Sequence, residues 1–471
     1  MAVSMAGVAA VEGSALSSPQ RWVRKKRGEK AERFIRSAIA STQLGHTFIA
    51  LTTYNWNCTI NWNCTMLTLP IPLLVSLLLG LISLALLAGS ILLLSRAVSR
   101  WSHYKRVRYR DHRNSPELLA EDRTVDRPVT SMDALRDPAV LTPLIVGSAL
   151  LLFTFAGRHL VGLAFPAGED EPTGMRTGTA QEVTRPDGTK IHAELYGPAD
   201  GPTLVLTHGW GTNSTEWYYA KEQLADRFRL IVWDLPGLGE TAQPQDGNFA
   251  LERMASDLHS VLSLANGKRV VLVGHSIGGM INLTFCRLYP ELAGSQIAGI
   301  VQLDTSYTNP VKTTKGSGFS QAIQKPIGEP ILHAMIYLSP AVRMMNWLSY
   351  ENGLLYIQNA QSSFAGSETR GQVDLVSRYQ VESSPAVVAR GTLAMFHWDA
   401  TPVLPRVNTP VLIVVGQQDT TTLPSASEYM QSTMAHAELK RVDPSAHYGL
   451  LEQNSRYDAA VAQFASARLK E

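Results

Sequence analysis

The ten residues from Val270 read VVLVGHSIGG, and this stretch decides the fold of the chain. Its four apolar residues are typical of a buried strand, and the pattern G-x-S-x-G around Ser276 is typical of a tight strand-to-helix turn. Gly274 and Gly278 flank the serine, where side chains would clash as the backbone turns. The residues after them have helical spacing. The stretch therefore predicts an exposed nucleophilic serine, with the backbone N–H of Ile277 at a helix N-terminus that favours an anion.

Length and composition limit the classes of protein to consider. A chain of 471 residues is too long for one ordinary domain, and three cysteines exclude a disulfide scaffold. Residues 1–166 carry a net charge of +9, whereas residues 167–471 carry −7. The acidic C-terminal part argues against a nucleic-acid partner.

Two apolar runs in the N-terminal third predict transmembrane helices. Residues 66–94 form 29 uncharged positions, and a bilayer span needs about 20. Residues 140–157 form a second uncharged run, which we extend to residue 165 because Arg158 can direct its charge to the interface. The alternative for the second run is a hydrophobic helix docked on the C-terminal domain.

The distribution of Lys and Arg predicts the orientation of these helices. The basic loop 95–139 carries ten of them, whereas residues 46–65 carry none, so the loop is predicted to be cytoplasmic and the C-terminal domain extracytoplasmic. A basic segment between Arg21 and Arg36 favours the opposite orientation, but it lies far from the first apolar run. We interpret residues 1–65 as a disordered tail.

From residue 178 onward, short β-rich runs alternate with helical ones, as in an α/β sheet. Polar residues follow several of these runs, at the strand ends where open α/β sheets place their active sites. The predicted strands are Gln181–Thr184, Lys190–Tyr196, Thr203–Thr207, Arg229–Trp233, Val270–Val273, Ile297–Leu303, Val411–Val415 and Glu438–Val442.

Several ordered motifs within residues 178–471 resemble the α/β-hydrolase fold superfamily, in its serine esterase and lipase-like branch with a lid. The resemblance implies a mostly parallel sheet flanked by helices and a helical lid at about residues 306–390. The motifs are H-G-x-G at His208–Gly211, D-x-P-G-x-G at Asp234–Gly239, the turn at Gly274–Gly278, a strand-end aspartate at Asp419 and a late histidine at His447.

A catalytic triad gives three of these residues distinct roles. Ser276 needs a base to take its proton, and His447 is the candidate base. Asp419 would hold the imidazole tautomer and stabilise the imidazolium. Asp304, at the end of the preceding strand, is the rival acid, but Asp419 fits the G-x-x-D pattern of the resemblance.

An oxyanion hole needs two N–H donors. Ile277 supplies the first, and the resemblance assigns the second to Trp210. It leaves His208 a structural hydrogen-bonding role, with Gly209 and Gly211 supporting the turn.

The lid region is rich in methionine and aromatic residues, which would form an apolar roof over a substrate pocket. The alternative is that most of them are the core of the lid itself. These residues are Met335, Tyr337, Met344, Met345, Trp347, Tyr350, Tyr356 and Phe364.

Together these patterns predict a membrane-anchored enzyme that cleaves small apolar carboxylic esters, acylglycerols or lactones through an acyl-enzyme. A cofactor-free haloperoxidase and a C–C bond hydrolase use the same triad and stay open, as does a non-enzymatic binding protein on this fold. The predicted partners are a small apolar ester and, through two helices, the lipid bilayer. No cofactor is predicted, and no metal site, because the twelve histidines form no ligand-spaced cluster.

Overall fold

The computed structural model describes residues 71–114, 131–185 and 187–470. The predicted tail at residues 1–65, the first residues of the predicted span at 66–70 and residues 115–130 of the predicted loop lie outside the described residues.

The C-terminal part is built on one eight-stranded sheet in the order β1-β2-β4-β3-β5-β6-β7-β8. β1 and β2 pair antiparallel, as do β2 and β4, and all remaining neighbours are parallel. The eight predicted strands are confirmed, four of them one or two residues longer. The strands are β1 (Thr179–Thr184), β2 (Lys190–Tyr196), β3 (Thr203–Thr207), β4 (Arg229–Trp233), β5 (Val270–His275), β6 (Ile297–Leu303), β7 (Val411–Gly416) and β8 (Ala437–Val442).

Helices cover both faces of the sheet and form the lid and the described part of the N-terminal region. They are α1 (Ile71–Asn114), α2 (Ser131–Arg136), α3 (Pro138–Gly162), α4 (Tyr218–Leu224), α5 (Leu251–Val261), α6 (Ile277–Leu288), α7 (Pro310–Thr313), α8 (Ser317–Ile323), α9 (Glu329–Tyr337), α10 (Ser339–Glu351), α11 (Leu354–Ser363), α12 (Arg370–Glu382), α13 (Pro385–Phe396), α14 (Pro424–Thr433), α15 (Gly449–Glu452) and α16 (Asn454–Arg468).

Alternate side chains of the central strands enter two separate cores. Val205 and Leu272 pack with α5 and α6 on one face, whereas Leu204 and Val273 pack with α16 on the other. This is the period of two expected of a strand, with both faces apolar because both are covered. Trp217, Trp233 and Trp398 are buried within these cores.

The first N-terminal helix differs from its prediction. α1 continues to Asn114, twenty residues beyond the predicted end at residue 94, so the first part of the predicted basic loop is helical. Residues 95–114 contain no Gly or Pro and several good helix formers, so the charges end the apolar run without ending the helix.

α3 (Pro138–Gly162) lies close to the position predicted for the second transmembrane helix. Asp137 caps it by accepting a hydrogen bond from the N–H of Ala139 at 2.8 Å, and Pro138 occupies the first turn. Among the described residues, α1 and α3 contain stretches long and apolar enough to cross a membrane: Leu74–Tyr104, with a mean hydropathy of 2.7, and Pro138–Gly162, with 2.1.

The lid is the helical insertion between β6 and β7, from α7 to α13. Its helices run from Pro310 to Phe396, so they end six residues beyond the predicted limit of about 390. Five of the eight lid residues singled out above are buried, as the lid-core alternative expects. Tyr337, Met344 and Trp347 are instead exposed, at 83%, 48% and 40% of their surface.

Candidate active site

Ser276 lies between the end of β5 and the first residue of α6, at the carboxyl edge of the sheet. Its backbone has φ of 52° and ψ of −117°, a conformation that L-residues rarely adopt. Gly278 makes the turn possible, since a Cβ there would lie 2.2 Å from the carbonyl oxygen of Thr207. A hydrogen bond of 2.9 Å from the N–H of Ser276 to the carbonyl of Leu303 fixes the turn against β6. The helix begins at Ile277.

The structure brings Ser276, His447 and Asp419 together from three separate segments. His447 Nε2 lies 3.2 Å from Ser276 Oγ, and His447 Nδ1 lies 2.8 Å from Asp419 Oδ2. Asp419 is buried, and its carboxylate also accepts hydrogen bonds from the N–H groups of Thr421 and Thr422 at 2.7 and 3.0 Å. These donors fix the carboxylate, so that it in turn fixes the orientation of the imidazole.

Asp304, the rival acid, occupies a different position. Its Oδ1 accepts a hydrogen bond from the N–H of Gly416 at 2.7 Å, and among the described hydrogen bonds none joins it to His447. Burial, followed by the nearby Asp419 carboxylate, raises the pKa of Asp304 well above its ordinary value. The buried carboxyl group of Asp304 therefore holds the end of β7 next to β6, and the geometry favours Asp419 as the partner of the histidine.

The two predicted oxyanion donors are the backbone N–H groups of Ile277 and Trp210. Within the described part of the chain, neither donates a hydrogen bond to a protein acceptor. The N–H of Ile277 is at the first residue of α6, where the helix dipole adds partial positive charge. Both donors are thus free to bind a developing negative charge.

The lid holds the His208–Asn213 loop that carries Trp210. The indole N–H of Trp210 donates to the carbonyl of Val388 on α13 at 2.9 Å, and Ser383 Oγ donates to the carbonyl of Gly211 at 2.8 Å. Gly391 on the same helix leaves room for the indole, because an added Cβ would lie 1.9 Å from the ring. The backbone of this loop is therefore positioned from the lid side.

His208 is completely buried below the loop. Its Nε2 accepts a hydrogen bond from the N–H of Leu235 at 2.9 Å, which leaves Nδ1 to donate to the carbonyl of Gly209 at 2.8 Å. Burial lowers the pKa of His208 and keeps the ring neutral. Through these contacts the ring joins the loop after β3 to the loop after β4.

A buried pair of charges beneath the site was missed by sequence reasoning. Glu216 Oε1 lies 2.8 Å from His275 Nδ1, and His275 Nε2 donates to the carbonyl of His447 at 2.9 Å. Glu216 also accepts hydrogen bonds from the N–H of Gly209 at 3.2 Å and from the hydroxyl of Thr212 at 2.6 Å. The pair therefore connects the nucleophile turn, the His208–Asn213 loop and the histidine of the site.

Both members of this pair carry charge at neutral pH. Burial alone would lower the pKa of His275, but the charge and hydrogen bond of Glu216 outweigh it and raise that pKa to about 9. Burial alone would raise the pKa of Glu216, and the interaction with His275 lowers it instead. No motif marks the pair, since its members lie 59 positions apart and His275 occupies a variable position of G-x-S-x-G.

The described residues contain no group of three or more His, Cys, Asp or Glu side chains placed to hold a metal ion. The chemistry that the arrangement supports is nucleophilic attack by a hydroxyl on an electrophilic carbon. A base lies next to the hydroxyl, and two N–H donors are available for the oxygen that becomes negative.

Comparison with known proteins agrees with this architecture. The model of the alpha/beta hydrolase family matches residues 204–463, more than half of the chain. An esterase from Exiguobacterium antarcticum is similar in structure, with a TM-score of 0.51 and 23% identity over 62% of this chain and 100% of the esterase.

Curated relatives at higher identity match shorter segments. A pimeloyl-acyl-carrier-protein methyl ester esterase from Aeromonas salmonicida is 34% identical over 107 residues, which are 23% of this chain and 40% of that protein. An uncharacterized protein from Mycobacterium tuberculosis is 37% identical over 92 residues, which are 20% of this chain and 27% of its own length. The chain thus spans only about a quarter to two-fifths of the length of these two relatives.

Proposed function

The chain belongs to the α/β-hydrolase family, and from this premise we propose that it is a membrane-anchored serine hydrolase that cleaves carboxylic esters. The nucleophile is Ser276, the base is His447 and the orienting acid is Asp419. Ester hydrolysis agrees with the similarity of the chain to esterases. The observation that carries the proposal is the continuous contact from Ser276 Oγ through both ring nitrogens of His447 to the Asp419 carboxylate.

Acylation is the first half of the proposed reaction. His447 Nε2 takes the hydroxyl proton of Ser276 as Oγ attacks the ester carbonyl carbon, forming a tetrahedral intermediate. The N–H groups of Trp210 and Ile277 bind its negative oxygen, and each such donor contributes about 3 kcal/mol to lowering the barrier. The C–O bond to the alcohol then breaks, His447 gives its proton to the leaving alkoxide, and the acyl group remains on Ser276.

Deacylation repeats these steps with water. His447 removes a proton from water as the water oxygen attacks the acyl-enzyme carbonyl. The new tetrahedral intermediate collapses, its C–O bond to Ser276 breaks, and the proton held by His447 returns to Oγ. The products are a carboxylic acid and the regenerated serine.

The hydrolase domain is proposed to be held at a membrane through α1 and α3. The ten Lys and Arg residues of the segment 95–139 favour a cytoplasmic position for it, which places the hydrolase domain on the opposite, extracytoplasmic side. Resistance of the hydrolase domain to protease added to intact cells, with digestion after lysis, would contradict this orientation.

A panel of p-nitrophenyl esters tests the reaction class. With full-length protein, we expect hydrolysis of apolar acyl esters. With a fast-acylating ester we also expect a burst of nitrophenol of about one equivalent per enzyme, because the acyl-enzyme then forms faster than it is hydrolysed. The panel also includes peroxide with bromide and a vinylogous diketone, which test for haloperoxidase and C–C hydrolase activity. Turnover of either substrate without ester hydrolysis would contradict the proposal.

A further inference from the structure

We propose that the outer face of the lid is a lipid-docking surface that lies within the bilayer beside α1 and α3. Esters dissolved in the membrane would then meet the lid without passing through water. This inference rests on the proposed membrane anchor. The surface, here called the lid face, consists of Tyr337, Leu338, Met344 and Trp347.

The lid packs directly on the first third of α1. A Cβ at Gly80 would lie 2.6 Å from the terminal methyl of Met345 on α10, so the two helices are in close contact there. The hydroxyls of Ser83 and Ser349 lie 2.9 Å apart, and Asn352 Nδ2 donates to Ser83 Oγ at 2.8 Å. All three polar side chains are fully buried, as they must be in an apolar surrounding.

α3 contacts the same lid helix. A Cβ at Gly157 would lie 2.8 Å from the carbonyl oxygen of Asn352, and the rings of Phe155 and Trp347 are 5.8 Å apart. Arg158 pairs with Glu351 at 3.1 Å and donates to the hydroxyl of Tyr350 at 2.9 Å. The lid thus supplies the partners of the Arg158 guanidinium, whose charge would be costly to leave unpaired in lipid.

The exposed apolar residues of the two helices define a band of bilayer thickness. On α1 they extend from Leu78 to Val98, and on α3 from Leu141 to Leu160. At 1.5 Å per residue these stretches are about 30 and 28 Å long, close to the ~30 Å hydrocarbon core of a bilayer.

The contacts with the lid fall inside this band. Gly80 and Ser83 lie within the exposed apolar stretch of α1. Phe155, which meets Trp347, lies five residues before Leu160, about 8 Å toward the middle of the band. α10 therefore lies beside the helices at the depth of lipid.

A placement that keeps the lid in water is less favourable. The span of α1 would then begin after Ser83, and a length of about 20 residues would move Arg96 from the edge of the band further into the hydrocarbon and would take in Arg100 as well. Charged side chains within the hydrocarbon are costly unless they are paired or reach the interface. The same placement would leave Leu78 and Leu81, exposed at 57% and 58%, in water.

The lid face has the composition of a membrane interface. Tyr337 and Leu338 are exposed at 83% and 59%, and Met344 and Trp347 at 48% and 40%. Aromatic side chains concentrate at the boundary between lipid and water, and exposed large apolar side chains on neighbouring turns are candidates for contact with lipid. Its continuity with α1 and α3 favours lipid over a second protein as its partner.

Depth-dependent quenching in vesicles tests the lid face directly. Cys58, Cys64 and Cys286 are replaced by serine or alanine, and single cysteines are introduced as Leu92→Cys in α1, Met344→Cys in the lid face and Tyr429→Cys on α14. Each full-length variant carries a nitrobenzoxadiazole label in phosphatidylcholine vesicles with nitroxide-bearing lipids. We expect at least threefold stronger quenching at positions 92 and 344 than at position 429, whose tyrosine is also 41% exposed.

The outcomes distinguish the proposed membrane anchor from the proposed lid face. Strong quenching at position 92, with position 344 as weakly quenched as position 429, would overturn the lid face and leave the anchor intact. Weak quenching at all three positions would overturn both. If the fluorescence of the label at position 344 changed with protein concentration and not with the amount of nitroxide-bearing lipid, the surface would bind a protein partner, which would contradict this inference.

Activity gives an independent readout. Met344→Lys is expected to lower the rate on an ester embedded in vesicles about tenfold, because a charge opposes insertion of the lid face, and to leave hydrolysis of p-nitrophenyl acetate unchanged. Tyr429→Lys is the matched control and should change neither rate. Equal rates of Met344→Lys and the parent protein on both substrates would contradict the inference.

Discussion

Ser276→Ala should lower the turnover of p-nitrophenyl esters by about 10⁶-fold, because removal of the nucleophile leaves only the residual effect of the oxyanion donors and substrate binding. Alanine has the same Cβ as serine, so the positive φ of residue 276 costs no more in the variant. We therefore expect unchanged thermal unfolding. The measurement is the initial rate of nitrophenol release by the purified full-length protein.

Ser263→Ala is the matched control for this variant. Ser263 is exposed, and its hydroxyl donates to the carbonyl of Ser260 in the turn after α5, away from the site. Its replacement should leave the rate within twofold of the parent. A Ser276→Ala protein that folds normally and retains more than a tenth of the parent rate would remove Ser276 from the mechanism.

Glu216→Gln should destabilise the domain by about 3 kcal/mol and slow turnover tenfold or more. The change removes the countercharge of a buried His275, and loss of one partner of a buried pair typically costs about 3–5 kcal/mol. His275 holds the carbonyl of His447, and Glu216 holds the N–H of Gly209. The positions of the base and of the Trp210 donor both depend on the pair, so kcat should fall more than KM rises.

The pH dependence of stability distinguishes this role from simple packing. The folded-state pKa of His275, about 9, lies above its ordinary value of 6.5, so the pair stabilises the fold fully below pH 6.5. That contribution is lost as the pH rises through about 9, and it amounts to roughly 3 kcal/mol at 1.36 kcal/mol per pKa unit.

Glu216→Gln should flatten this part of the pH profile. Asp257 and Asp458, with pKa values raised by burial to about 7 and about 8, titrate in the same window. The readout is therefore the difference in unfolding free energy between parent and variant from pH 6 to 9.5. Exposed Glu222 provides the control, since Glu222→Gln should retain the parent slope. Retention of that slope in Glu216→Gln would show that the pair is not charged.

The central strands of the sheet were predictable from the sequence because they are short, mostly apolar and rich in β-branched residues. β3, β4 and β6 begin and end at the predicted residues. Buried parallel strands read as continuous apolar runs bounded by polar turns, so their limits are visible in one dimension. The position of Ser276 was also predictable from the sequence, because its turn requires glycine on both sides.

The features that could not be predicted from the sequence depend mainly on contacts between segments distant in the chain. The end of α1 was misplaced because charge marks the end of an apolar run and not of a helix. Glu216 and His275 meet through tertiary packing, and neither residue type nor spacing indicates that they pair. The exposure of Tyr337 and Trp347 likewise depends on how α9 and α10 pack against neighbouring helices.

The most direct test of the central claim is covalent labelling with a fluorophosphonate, followed by peptide mass spectrometry of the full-length protein. A serine activated by His447 should displace fluoride and form one phosphonyl adduct per chain. We predict that the adduct maps to Ser276 and is lost in Ser276→Ala and strongly slowed in Asp419→Asn. An adduct at another residue, or undiminished labelling of Ser276→Ala, would contradict the account.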